Sequence, residues 1–567
     1  MDDKKFFEAA EACGLFELVG TEADAEEIST AGNSFFDKSF FGTRVLILAP
    51  HPDDEINIAG NMILTLAAAK AEIFVAYSTN GDFEQTAEIR AKEAVDALKI
   101  LGVPRERIIF LGYGDGHKLS ETPAQSPAGH IETYAAEGFV DYAKKIFGRH
   151  SPYTRQNFKR DLKSLLLELR ANIIFCVDFD NHPDHRTLSI MFEEALGEIL
   201  SEHSDYRPEV YKKFAYATAF TAAADFYAPN LLSTRKPKLG ETDTYDFDFV
   251  DRANYLWKNR VRFPVVNSRT ILKGNPIADA IFAHKSQRNE WNALRILNSD
   301  EIFFERRTDS QTFSAKVTAT SGDAKKVRDF KIIDTSDVEI SPARIENNFW
   351  RGEKIFFAWD DAIQVERIVI YGNLLDEESA KISLRLEIDN AKNSSDNVKN
   401  FFAELPNRGR PLVIDTEKIF VTRAEISVVD AGKNFGLAEV EFFANAEPLK
   451  KIPPFVKLTI NDNFFYNFSV PYEVEKISVG LYRFHVDAPV KVTATAGDEI
   501  ILAEVIEGDD ELILNLGGAT EIILTAEVVG SDIYDRAIVR RVGDLAQIQL
   551  KFWQWLDKLR IHKLRNI

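Results

Sequence analysis

Four short aliphatic runs, at residues 45–48, 73–77, 107–111 and 173–177, alternate with stretches of helical period at about 59–70, 84–101, 155–170 and 186–201. Apolar runs that short and that continuous read as strands covered on both faces, as strands of a parallel sheet are. The alternation predicts an α/β unit whose mostly parallel sheet carries helices on both faces through right-handed crossovers. Ligands bind such sheets at the carboxyl ends of the strands. Two of these ends are rich in groups able to hold a metal. The first run passes through Ala49-Pro-His-Pro-Asp-Asp-Glu55, and the fourth through Asp178 and Asp180 into His182-Pro-Asp-His185. Pro50 and Pro52 exclude helix at the first box and stiffen the turn that presents His51, Asp53 and Asp54. If the two strands are neighbours, both boxes face one crevice.

A strand running into Pro-His-Pro-Asp-Asp-Glu, followed far downstream by His-Pro-Asp-His, resembles the signature of the PIG-L/LmbE-like family of metal-dependent N-acetylglucosaminyl de-N-acetylases. The resemblance covers roughly residues 41–300. It is supported by Thr79-Asn-Gly81, Arg90-x-x-Glu93, Leu101-Gly102, Asp115-Gly116 and His284-Lys-Ser-Gln287. It implies one divalent zinc ion held by His51, Asp54 and His185, a three-ligand set that leaves a position open, as catalytic zinc requires. It implies Asp53 as general base, since a carboxylate beside a ligating neighbour cannot easily turn to the same ion. His182 would stabilise the oxyanion or protonate the leaving amine, oriented by a carboxylate such as Asp184. Arg90 and Asp115 match positions that contact sugar hydroxyls, and His284 is grouped with them as a substrate residue.

The implied reaction is hydrolysis of the N-acetyl group of an amino sugar, whether of a GlcNAc-type glycan, a glycoconjugate or a lipid- or nucleotide-linked sugar. Two alternatives stay open. One is an amidase acting on another acylamino conjugate, and the other is a glycan-binding or assembly protein with a vestigial metal site.

At 567 residues the chain is too long for one core, since domains hold about 100–200 residues. The expected organisation is a helical lead-in over 1–40, a Rossmann-like α/β deacetylase domain over 41–303, two β blocks over 304–447 and 448–530, and an amphipathic helix over 531–567. Within the first domain, the irregular interval 116–153 reads as an active-site loop, and 252–262 and 277–297 as closing helices. From about Phe304 the period becomes two, with Asn, Asp and Gly between runs, which argues a β-sandwich. Trp350, Trp359, Arg367-Ile-Val-Ile-Tyr-Gly-Asn373 and Gly436-Leu-Ala-Glu-Val-Glu-Phe442 make it similar to galactose-binding-like jelly rolls of the discoidin type. The two tryptophans suit a core better than a sugar platform. The block after Pro454 reads as a smaller Ig-like unit.

A net charge of −20 repels phosphate backbones, so nucleic acid is not an expected partner. The early acids and the lack of an apolar core near Met1 do not read as a signal peptide, and the longest uncharged stretches are too short to span a bilayer. Cys13 and Cys176 are the only cysteines, which fits a reducing cytoplasm. Between Ile548 and Ile567 five basic residues, Lys551, Lys558, Arg560, Lys563 and Arg565, face one acid, Asp557. With Phe552, Trp553 and Trp555 among them, the helix expected there either packs its aromatics on a neighbouring domain or touches an anionic membrane surface peripherally. The oligomeric state is not legible in the sequence.

Overall fold

The computed structural model describes residues 40–116, 122, 124–179, 182–215, 260–263, 275–287, 301–332, 349–373, 376–389, 397–407, 409–447, 452–460, 463–464, 467–508 and 510–543. The lead-in over 1–39 and the basic stretch 548–567 lie outside them.

The first unit is built on a seven-stranded sheet. Its strands are β1 (Arg44–Ala49), β2 (Glu72–Thr79), β3 (Ile108–Tyr113), β4 (Ile173–Val177), β5 (Glu209–Lys213), β6 (Arg260–Phe263) and β7 (Glu301–Arg306), in the order β3-β2-β1-β4-β5-β7-β6. The first five are parallel, while β7 runs antiparallel to β5 and β6 antiparallel to β7. The order reverses between β1 and β4, which pair directly from Val45 with Ile173 to Leu48 with Cys176. That reversal is where an open α/β sheet leaves a crevice at its strand ends. Every residue of β4 and all but the first of β1 are buried, as a central parallel strand demands.

The helices are α1 (Asp54–Ala68), α2 (Ala87–Ile100), α3 (Tyr142–Phe147), α4 (Arg155–Leu169), α5 (Pro183–Glu202) and α6 (Pro276–Ala283). Two of them begin earlier than the apolar period suggested. α1 starts at Asp54 with Asp53 as its N-cap and Pro52 outside it, and α5 starts with a proline, Pro183, in its first turn and His182 as its N-cap. Proline is at home in the first helical turn because its missing N–H has no partner to lose there. Both boxes are therefore helix starts fed by strands. The 116–153 interval, expected to be irregular, contains α3, capped by the Asp141 carboxylate, which accepts the Lys144 N–H at 3.1 Å. Of the helix expected over 252–262, the described end is the strand β6. Of the one over 277–297, the described part is α6 and a 3-10 turn, Lys285–Gln287.

The boundary expected between 303 and 304 falls inside β7, which stays in the first sheet. Beyond it, β8 (Lys316–Ala319), β9 (Lys354–Gly372), β10 (Ala380–Ile388), β11 (Val398–Leu405), β12 (Pro411–Asp430) and β13 (Leu437–Phe443) form an antiparallel sheet in the order β11-β10-β12-β9-β13, with β8 also on β9. Trp350 is fully buried in its core and donates Nε1–H to the Ser321 carbonyl at 2.8 Å. Trp359 is also buried and donates to the Gln311 carbonyl at 2.9 Å. Both are core residues.

The last unit stacks two sheets. One holds β14 (Phe455–Ile460), β15 (Asn463–Phe464), β17 (Lys476–Phe484) and β20 (Leu512–Asn515). The other holds β16 (Asn467–Pro471), β18 (Val490–Ala496), β19 (Glu499–Ile506), β21 (Glu521–Val528) and β22 (Tyr534–Val542). β22 corrects the helix expected from 531: residues 534–542 form a strand, of which 534–540 pair antiparallel with β21. Among the described residues no helix is long and apolar enough to cross a membrane.

The units share buried surface. Tyr371 and Phe443 from the second, and Phe455 and Phe484 from the third, belong to the hydrophobic core of the first. This contact lies at the β7-β6 edge, where the Arg262 N–H donates to the Tyr482 hydroxyl at 2.7 Å. The crevice at the ends of β1 and β4 lies several strands away.

Candidate active site

The two boxes meet. At the end of β1, His51 Nδ1 lies 2.9 Å from Asp54 Oδ2, and across the crevice His185 Nε2 lies 3.1 Å from that same oxygen. Two ring nitrogens converging on one carboxylate oxygen from adjacent strand ends is an arrangement that a small cation can replace. The other oxygen, Asp54 Oδ1, is buried and has no hydrogen-bond partner among the described residues. A buried carboxylate oxygen without a partner is costly unless a ligand completes it. The donor set, two imidazoles and a carboxylate, suits zinc.

Further groups surround His51. Its Nε2 lies 3.1 Å from Asp184 Oδ2 and 3.3 Å from Asp115 Oδ1. Burial opposes charge on the His51 ring, but these carboxylates raise its pKa well above the ordinary range. Burial likewise works against the Asp54 and Asp115 carboxylates, and the contacts with His185 and His51 hold both well below it. The same Asp184 oxygen accepts the Gly116 N–H at 2.8 Å. His182 completes the cluster, and one nitrogen from each of His51, His182 and His185 lies within 4.8 Å of the others.

His182 differs from the other two histidines. Its side chain is 30% exposed whereas that of His185 is 0%, so it stands at the mouth of the crevice. Its Nδ1 accepts the Asp184 N–H at 3.3 Å, which leaves the ring proton on Nε2. Burial, then repulsion from His51 and His185, lowers its pKa to about 4, so the ring is neutral at neutral pH. The Asp184 carboxylate is 3.8 Å from that Nδ1 and spends its oxygen on His51 and Gly116. It is Asp184's backbone N–H that orients His182.

Asp53 sits at the N-cap of α1 with φ 141° and ψ −27°, a conformation that side-chain-bearing residues avoid at a cost of about 1–3 kcal/mol. The surrounding contacts over-determine it. Arg90 Nη2 donates to Asp53 Oδ1 at 3.0 Å and to the Pro52 carbonyl at 2.6 Å, while the Asp53 N–H donates to Glu55 Oε2 at 2.8 Å. Glu55 Oε1 in turn contacts His284 Nε2 at 2.8 Å. Burial disfavours a charged His284 ring, and the Glu55 carboxylate outweighs it and raises the pKa. Arg90 and His284, expected to touch substrate, are both buried and turned to the groups of this turn.

Asp115, the third residue expected to touch substrate, is mostly buried beside His51. Its backbone N–H donates to Asp82 Oδ1 at 2.8 Å, and Asp82 Oδ2 accepts the Tyr134 hydroxyl at 2.5 Å. Sequence reasoning passed over Glu55, Asp82 and Tyr134. Glu55 is the last letter of the first box and Asp82 directly follows Thr79-Asn-Gly81, so both had a positional signal. Tyr134, inside the irregular interval, had none.

Comparison with known proteins meets this geometry at the same residues. Residues 46–196 match the PIG-L family model, described as GlcNAc-PI de-N-acetylase. The PIG-L region thus runs from β1 into α5 and contains both boxes. Over 70 residues the chain is 31% identical to the N-acetylglucosaminyl-phosphatidylinositol de-N-acetylase of Bos taurus, a match covering 12% of this chain and 28% of that protein, so under a third of the relative's length is spanned. Among solved structures, the N,N'-diacetylchitobiose deacetylase of Pyrococcus horikoshii is 19% identical, with 47% of this chain and 84% of that one covered at a TM-score of 0.26. A deacetylase of the teicoplanin biosynthesis pathway is 15% identical, covering 44% and 87% at a TM-score of 0.27. A module named CBM32-5 from Clostridium perfringens is 16% identical, covering 23% and 96% at a TM-score of 0.18.

Proposed function

We propose that the PIG-L region is a zinc-dependent hydrolase that removes the acetyl group from an N-acetylated amino sugar, giving acetate and a free amine. The observation that carries this reading is the convergence of His51, Asp54 and His185 at adjacent strand ends, with Asp54 Oδ1 buried and unpartnered and with Asp53 next to it in the chain. His51, Asp54 and His185 would hold the zinc. When bound, zinc supplies a Lewis acid that polarises an amide carbonyl and lowers the pKa of a water.

The chain's own residues do the remaining work. Asp53, held off the ligand set by its backbone and paired with Arg90, would take a proton from the attacking water as the water adds to the acetamide carbon. His182, neutral and protonated on Nε2 at the mouth, donates a hydrogen bond to the oxygen on which negative charge develops. The proton held by Asp53 then passes to the nitrogen as the C–N bond breaks, so water divides between acetate and amine. Asp115 and Asp184 hold His51 and close the wall between the boxes. The second unit, whose sequence resembles galactose-binding-like jelly rolls, would place a glycan or brace the first.

The test is acetate and primary-amine release by the zinc-loaded protein from a panel of free, nucleotide-linked and lipid-linked N-acetyl amino sugars. Equimolar release from at least one member is expected. No release from any member by protein carrying stoichiometric zinc contradicts the proposal.

A further inference from the structure

Two contacts grip Asp53 from opposite sides, and neither is part of the ligand set. From α2, Arg90 Nη2 spans the Asp53 carboxylate at 3.0 Å and the Pro52 carbonyl at 2.6 Å. From the end of α6, His284 holds Glu55 at 2.8 Å, and Glu55 accepts the Asp53 N–H at 2.8 Å. Glu55 and His284 are fully buried, and Arg90 almost so, which keeps water from competing for either contact. Gly81, at φ +65°, gives the guanidinium its room: a Cβ there would lie 2.9 Å from Arg90 Nε. Contacts from α2 and, through Glu55, from the end of α6 thus converge on one residue whose backbone, at φ 141°, would not stay there alone.

We propose that Arg90, Glu55 and His284 are positioning residues that hold Asp53 in its unfavourable backbone conformation and so aim the carboxylate of the general base. The proposal rests on the reading of Asp53 as base given above. It assigns a role to Glu55 and gives Arg90 and His284 work behind the base instead of against the sugar. A general base must lie within hydrogen-bond reach of the proton it takes, so an error of an ångström in its placement lowers turnover while leaving substrate affinity alone. None of the three needs to touch substrate to matter.

The experiment compares kcat, KM and zinc stoichiometry for His284→Gln, Glu55→Gln and Arg90→Lys, each alone and on an Asp53→Asn background. Alone, each variant is expected to lower kcat roughly 10–100-fold, the usual cost of losing a group that orients a functional one, with zinc stoichiometry unchanged. KM should stay within about twofold, because no ground-state contact is lost. On the Asp53→Asn background the same changes should lower kcat by no more than about twofold, since residues acting as a unit are non-additive. A raised KM at unchanged kcat, or the full loss repeated on the Asp53→Asn background, would overturn the proposal. Should His284→Gln not fold, Arg90→Lys carries the same comparison. If the wild-type protein releases acetate from no amino sugar, the functional reading has failed, and the clamp is then decided by a crystal structure of a variant. Asp53 relaxing to a negative φ supports it, and Asp53 unchanged at positive φ overturns it.

Discussion

Gly81 shows how much of the site depends on residues without chemistry of their own. It lies just past the end of β2, in a left-handed conformation at φ +65°, and the Arg90 guanidinium fills the space where a side chain would begin. Gly81→Ala would meet both obstacles together. The left-handed backbone costs about 1–2 kcal/mol in a residue with a Cβ, and Arg90 must withdraw from Asp53 and Pro52. The expected outcome is a melting temperature lowered by a few degrees together with loss of most turnover. Calorimetry and an acetate assay on one preparation check it. Gly148→Ala supplies the control, since Gly148 has a similar φ of +72° with nothing within 4 Å, and it should lower stability and spare activity.

The elements that carry the boxes are held by charge as well as by apolar packing. α5, which brings His182 and His185, is tied to α4 through Glu194, whose two oxygens accept from Arg155 Nη2 at 2.7 Å and Lys159 Nζ at 2.8 Å. Partial burial opposes this carboxylate's charge, but Lys331, Lys159 and Arg155 lower its pKa from 4.5 to about 2. A depressed acid stabilises the fold only while ionised. Its contribution is complete above the unfolded value of 4.5 and is lost as pH falls towards about 2. Glu194→Gln should therefore flatten the dependence of melting temperature on pH in that window and lower stability at pH 7. Parallel curves for the two proteins across that window would contradict the pairing.

At this scale the sequence was also most informative. Aliphatic runs too short for helices placed β1, β2, β3 and β4 within a residue or two, because burial on both faces leaves a continuous signature. The starts of α1 and α5 lie earlier than the apolar period suggests because their first turns open on Asp54 and Glu55 and on Pro183 and Asp184, which carry no apolar period. Convergence of His51, Asp54 and His185 was legible from two matching boxes. The inward aim of Arg90 and His284 was not, because a long polar side chain on a helix reads the same whether it meets a sugar or a neighbouring turn.

The whole molecule is more continuous than the change of texture near Phe304 suggests. Arg306, the last residue of β7, is buried and its Nη1 lies 3.4 Å from Glu441 Oε1 on β13, while Nη2 donates to the Phe330 carbonyl at 2.9 Å. Glu439, also on β13, is buried near the same arginine, and burial first, then Asp329 and Glu441, pushes its pKa well up. Arg306→Met leaves Glu441 buried without its counter-charge, a loss of about 3–5 kcal/mol for a broken buried pair. Because Tyr371, Phe443, Phe455 and Phe484 share the first unit's core, that loss should lower the melting of all units together. Differential scanning calorimetry is expected to show one transition shifted down, and a shift confined to one of two resolved transitions would contradict the shared core. Protease should accordingly cut slowly between 301 and 316, although the change of period there predicted a boundary between separate domains.

The central claim is that zinc is held by His51, Asp54 and His185 while Asp53, outside that set, takes the proton. The most direct measurement is zinc content and acetate release for Asp53→Asn beside wild type in the same assay. The account predicts unchanged zinc and a turnover lower by roughly 10²–10⁴-fold, the usual cost of removing a general base. Turnover within a few-fold of wild type, or loss of zinc along with activity, would contradict it.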